Sequence, residues 1–327
     1  QMAALTTEQL LALPAAKLST LLTAQVKALS TEQIAALSNV QVANLRVDQI
    51  VALETSDVAA LSNAQVAALN TAQMQVLSTA QIKALGTSQM AALKSAQILA
   101  LDTEQLQAIE TQDVAAISLT NIKGLTTDQV KALTTDQFRA LTTAQVAGIS
   151  STQLSALSTA QMLGLSTTQI ASFKVGGAQL TAMTPEQISV LGTDQIRTFS
   201  AAQITSFTTQ QVSGFTTAQM EAMSTQNLAG LTSTQLGVLA TDRLAALSTG
   251  QFGSLKATQL VGIEPAKLAA LETSYMASLD TAQIASLLPE QMAALSTDTV
   301  RALGTAQYAA LKSAQVAEIG RASCRER

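Results

Sequence analysis

Leu29-Ser30-Thr31-Glu32-Gln33-Ile34-Ala35-Ala36 is the stretch that decides the fold, because its pattern, Leu-(Ser/Thr)-Thr-x-Gln-aliphatic-x-Ala, recurs along nearly the whole chain. It returns, for example, as Leu157-Ser158-Thr159-Ala160-Gln161-Met162-Leu163-Gly164. A unit this short cannot bury a core alone, so successive units must stack. Counting from the leucine, position 1 falls at Leu5, Leu13 and Leu21 and continues without a slip to Leu165 and Phe173. A two-residue insertion lies within Phe173-Lys174-Val175-Gly176-Gly177-Ala178-Gln179-Leu180. The phase resumes at Met183 and holds to Leu311.

Charge respects this register. Positions 1 and 6 are uncharged throughout, and position 8 is nearly always Ala, Gly, Ser or Thr. Basic residues sit at position 7 (Lys27, Lys83), 2 (Arg46, Lys94) or 5 (Lys17, Arg243), and acids mostly at 4 (Glu32, Asp128) and 2 (Glu54, Asp102). Positions 1, 6 and 8 therefore read as interior, and 2, 4, 5 and 7 as exterior or partly so.

A continuous helix does not fit this period: eight residues at about 100° each leave a drift of about 80° per repeat, and the apolar stripe would circle the axis. A strand does not fit either, because positions 1 and 6 differ in parity and Ala and Gln are poor strand formers. A short helix restarted in every octad does. With position 2 as N-cap, Ser/Thr there and Gln at position 5 form the capping box. Leu at 1 and the aliphatic at 6 then form the hydrophobic staple. Pro185, Pro265 and Pro289 all fall at position 3, the first helical position, where proline is accommodated. Each cap contributes about 1 kcal/mol, too little for so short a helix to stand alone. The expectation is an all-α chain: an α-solenoid or superhelix of very short capped helices, one per eight-residue repeat. Whether one or two octads make a turn is left open.

The divisions read from the register are a first array at 1–173, an irregular segment at 174–182, a second array at 183–317 and a non-repeat tail at 318–327. The Gly176-Gly177 pair is either a hinge or, the favoured reading, an insertion tolerated in a surface turn. The tail, Glu318-Ile319-Gly320-Arg321-Ala322-Ser323-Cys324-Arg325-Glu326-Arg327, reads as a translated sequencing adapter. The chain opens at Gln1 in mid-repeat, which reads as a piece of a longer protein.

Composition argues against catalysis. The 327 residues include no His and one Cys, which removes imidazole acid–base chemistry, Ser-His-Asp triads and His or paired-Cys metal sites. No paired carboxylates, calcium loop or phosphate loop occurs. No catalytic, cofactor-binding or metal-binding residue is therefore assigned, no cofactor is expected, and the protein is expected not to be an enzyme. The glutamine column at position 5 is the sharpest polar feature. It could form a ladder for glycans or a peptide, but capping together with Gln–Gln contacts between coils explains it better. Asp57, Asp113, Asn121, Asn227, Lys267, Tyr275 and Thr299 replace Gln there without disturbing the register.

Leu141-Thr142-Thr143-Ala144-Gln145-Val146-Ala147-Gly148-Ile149 is similar to the helix-opening segment of TAL-effector repeats. The likeness covers one octad, and the net charge of -4 offers no basic stripe for phosphates, so no nucleic-acid partner is expected. No run of apolar residues is long enough to insert in a membrane. Residues 5–317 as a whole resemble the octapeptide-repeat arrays of large, repetitive proteobacterial surface or adhesin-like proteins. The resemblance implies a non-enzymatic spacer or stalk, extracellular or at the cell surface. The alternative is a solenoid binding module that engages a protein or glycan through one repeat face.

Overall fold

A computed structural model describes residues 2–325, with side chains from 2 to 319. Each octad of the array forms one helix of four to six residues, starting with Thr7–Leu11 and ending with Thr305–Ala309. No strand occurs among the described residues. The last helix, Ser313–Arg325, is longer; of the tail expected at 318–327, Glu326 and Arg327 lie outside the described residues.

The helices begin where the capping pattern places them. Position 2 is extended and caps: in one octad Thr142 Oγ1 accepts from Gln145 N–H (3.2 Å), while Gln145 Oε1 accepts from Thr142 N–H (2.7 Å). These two bonds satisfy two of the orphaned N–H groups at a helix start. Where position 2 lacks a hydroxyl, as at Leu22, Arg46 or Lys94, the glutamine still accepts the N-cap N–H. Pro185, Pro265 and Pro289 each open their helix. Position 1 then ends the preceding helix in extended conformation, as Leu157 does with φ −61° and ψ 142°.

The chain forms two compact units, Gln1–Leu165 and Ser166–Arg327. Within each, a helix packs on the third helix before it and the third after it: Thr31–Ala35 against Thr55–Ala60 in the first unit, Thr209–Ser213 against Ser233–Val238 in the second. Three octads therefore make one turn, not the one or two left open by the sequence. Positions 1 and 6 fill the centre, as in Leu157 and Leu154 or Leu239 and Leu236. In the second unit Phe199, Phe207 and Phe215, the position-1 residues of three successive octads, meet edge to face at 5.2 Å and 6.0 Å between ring centroids. Each turn thus closes its own small core from three sides.

Two inside–outside assignments are corrected. Position 5 is buried: Gln49 and Gln291 are fully enclosed, and most glutamines of the column join them. Position 8 is mostly intermediate rather than interior. Its small side chain has a specific cause, because it lies against the first helical turn of the octad one turn away. A Cβ added to Gly214 would meet Pro185 O at 2.9 Å, and one added to Gly230 would strike the Ala201 backbone.

The insertion sits inside the second unit. Gly176 takes φ 66°, where a Cβ is disfavoured, and its N–H donates to Ser206 Oγ at 3.2 Å. Phe173 and Leu180 on either side remain buried. Gln203 reaches Phe173 O at 2.7 Å across 30 residues rather than the usual 28. The two extra residues are taken up in one exposed bend, and stacking continues past it.

Candidate functional site: the glutamine column

The glutamine amide has two ends and uses both. Gln105 is representative. Its Oε1 accepts from the N-cap Asp102 N–H at 2.9 Å, and its Nε2 donates to Met74 O (2.9 Å), Gln75 O (3.2 Å) and Leu77 O (2.7 Å). Those carbonyls lie where helix Thr71–Gln75 ends and helix Thr79–Lys83 is about to start. One side chain thus serves the orphan donors of its own helix and the orphan acceptors of a helix end one turn earlier. The same separations of 28 and 31 residues recur at Gln41, Gln81, Gln153, Gln219 and Gln291. No buried side-chain nitrogen or oxygen among the described residues lacks a partner. The expected Gln–Gln contacts are replaced by these amide–backbone bonds, and an amide committed in this way has no free donor for a ligand.

The replacements at position 5 follow the same chemistry. Arg243 Nε donates to Phe215 O (2.6 Å), Lys267 Nζ to Gly237 O (2.6 Å), and Tyr275 Oη to Ala245 O (2.6 Å) and Leu247 O (2.8 Å). Asn121 Nδ2 donates to Leu93 O at 2.8 Å, and Asn227 Nδ2 likewise bonds Phe199 O. Burial, and secondarily the charge of Glu272, push the Tyr275 hydroxyl above its usual range. Asp57 and Asp113 cannot donate when ionised, and their partner changes accordingly. Asp57 accepts from Thr31 Oγ1 at 3.0 Å, Asp113 from Thr87 Oγ1. Thr299 keeps only the local bond to Ser296.

One groove of about 790 Å³ opens in the first unit, lined by Lys83, Gln107, Glu110, Thr111, Gln112 and Thr134 among others. Lys83 Nζ and Glu110 Oε1 face each other across its rim at 4.0 Å. No cluster of three His, Cys, Asp or Glu side chains suited to a metal ion occurs among the described residues. No helix there is long and apolar enough to cross a membrane. Glu32 and Glu186, in the first turns of their helices, have carboxyls held below the ordinary value of 4.5 by backbone hydrogen bonds and then by the N-cap hydroxyls of Ser30 and Thr184.

Short capped helices, three octads to a turn and tied by a buried amide column, define a class: an all-α solenoid-like repeat protein. The chain belongs to the ALTTAQ repeat family, whose model matches residues 50–87, 72–103, 106–143, 135–167, 189–225, 260–297 and 290–320, together more than half of the chain. No curated protein matches it. The family describes a structural repeat region.

Proposed function

We propose that the array is a non-enzymatic spacer or stalk within a large bacterial surface or secreted protein. The observation that carries this reading is the glutamine column. The most regular polar group of the repeat is consumed in joining one turn to the next, so reach grows in equal steps with the number of octads. Positions 1 and 6 stay apolar throughout while the exposed positions 4 and 7 vary, which agrees with a spacer. The absence of His and of a Cys pair in the sequence agrees with a role outside catalysis. Fractionation of cells that express the native full-length protein tests the reading. Recovery at the envelope or in the medium is expected, and recovery in the cytosol overturns it.

The groove beside Lys83 and Glu110 favours one second reading, a binding module for a protein or glycan. Probing the chain against glycan and peptide arrays, with Thr111→Trp to fill the groove, separates the two. Binding abolished by that substitution favours the module, and no binding favours the spacer.

A further inference from the structure

Packing every third helix together gives the first unit three sides, and their charges differ. The side running from helix Thr7–Leu11 to helix Ser151–Ala156 exposes Glu8, Glu32, Glu54, Asp102, Glu104 and Asp128 against Lys83 and Lys131, a net −4. The next, from Ala15–Leu18 to Thr159–Gly164, balances Lys17 and Arg139 against Asp136 and the half-exposed Glu110. The third, from Thr23–Lys27 to Thr143–Gly148, exposes Lys27, Arg46, Lys94 and Lys123 against Asp48 alone, a net +3. Asp48 holds Arg46 at 2.8 Å. The three lysines form no ion pair among the described residues.

The basic side is also the apolar one. It carries five of the eight large exposed aliphatics described in this unit, Leu22 (66% exposed), Val51 (57%), Val47, Leu99 and Leu119, while Leu11 lies on the acidic side and Val40 and Leu163 on the balanced one. Aliphatic side chains gathered on one side among unpaired cations mark a surface that gains from being covered.

We propose that a second copy of this chain covers it, acidic side against basic side. The two sides match in register as well as in sign. Level by level, the basic side presents Lys27, Arg46, an uncharged level at helix Thr71–Gln75, then Lys94 and Lys123. One octad further on, the acidic side presents Glu32, Glu54, Lys83, then Asp102 with Glu104, and Asp128. The level at helix Thr71–Gln75, without a base, therefore meets Lys83, whose level has no exposed acid, and the uncharged level at helix Thr143–Gly148 meets the uncharged level at helix Ser151–Ala156. Both sides repeat with the same helix spacing of about 8–10 Å, so the match does not drift along the contact. Asp48 offsets Arg46 and Lys131 offsets Asp128 at their own levels, so Lys27 against Glu32 and Lys94 against Asp102 with Glu104 carry most of the match. The two sides in contact are different surfaces, which makes the contact heterologous and lets it propagate from copy to copy. Its strength is electrostatic at the edges and falls with salt.

Sedimentation velocity of the full chain over a concentration series tests this. At about 0.01 M salt, where the Debye length is about 30 Å, growth in sedimentation coefficient with concentration is expected; at about 1 M, where it is about 3 Å, reversion to monomer. K27E/K94E/K123E and E32K/E104K/D128K alter exposed residues only, and circular dichroism checks that each folds. Each triple variant alone is expected to lose self-association by about tenfold or more, and mixing the two in equal amounts is expected to restore it. A wild-type chain that stays monomeric throughout overturns the proposal, as do variants that associate like wild type. Wild-type chain that stays monomeric yet binds phosphatidylserine/phosphatidylcholine vesicles, with K27E/K94E/K123E failing to bind, also overturns it and assigns the basic side to an anionic lipid surface.

Discussion

Replacing Gln105 by Leu keeps the volume and removes both ends of one amide. The substitution leaves the Asp102 N–H without its acceptor at 2.9 Å and Leu77 O without its donor at 2.7 Å, while Met74 O loses the amide at 2.9 Å but keeps the Leu77 N–H at 3.3 Å. Gln105 is 3% exposed, so water cannot replace it at the site. A buried polar group deprived of its partner costs about 1–3 kcal/mol. Counting one donor and one carbonyl, the loss is about 2–6 kcal/mol, less any relaxation. Gln105→Lys is the control: Lys267 in the same position donates to Gly237 O at 2.6 Å, so lysine keeps the inter-turn bond and loses only the cap acceptor, about 1 kcal/mol. Urea unfolding followed by helical circular dichroism gives the ranking, and amide exchange at Asp102 gives the local readout. Both variants should speed exchange there, and Leu alone should lower the unfolding midpoint strongly. Equal midpoints for Leu and Lys would refute the inter-turn role of the amide.

Gly230→Ala drives a Cβ into the Ala201 backbone, whereas a Cβ at Gly124 meets nothing within 4 Å. Thermal melts should show Gly230→Ala destabilising by about 1–3 kcal/mol and Gly124→Ala stabilising by about 0.5–1 kcal/mol. Gly86 caps its helix without a side chain, with Gln89 Oε1 3.9 Å from a built Cβ. Gly86→Ser should add a few tenths of a kcal/mol, and a lower melting point would contradict the cap assignment. For pH, the folded-state values of Glu32 and Glu186 lie below 4.5. Their contribution is therefore complete above pH 4.5 and is lost as pH falls through those lowered values. Glu32→Gln should flatten the acid arm of a stability–pH curve and leave the neutral arm unchanged.

The local half of the architecture was legible. The N-caps, the prolines at helix starts and the buried pairs at positions 1 and 6 all follow from spacings inside one octad. The number of octads per turn and the burial of Gln were not, for one shared reason. The contacts that fix them join residues 28 and 31 apart, and the capping box had already given the glutamine a sufficient local role. A signal was present in the replacements. Arg243, Lys267 and Tyr275 share little with Gln except a long side chain ending in a hydrogen-bond donor, and no aliphatic residue stands at position 5 in any octad from Gln9 to Gln315. Such a constraint is unnecessary for an exposed cap. Position 8 misled in the opposite sense: its small residues mark a close approach to backbone, as Gly214 shows against Pro185, and not a place in the core. Aliphatic content alone does not reveal the difference.

The direction of the amide bonds bears on how such a chain is made. Where a position-5 side chain donates from one turn to another, as at Gln41, Gln105, Gln211 and Gln315, the carbonyls precede it in the chain. A newly synthesised octad thus finds its acceptors already displayed by the turn before it. Assembly can proceed from the ribosome outward, one octad at a time, with each closure spanning 28 to 31 residues, however long the gene becomes. Loop-closure entropy grows with loop length, and here the loop length stays constant, so the hundredth repeat would be no harder to fold than the fourth.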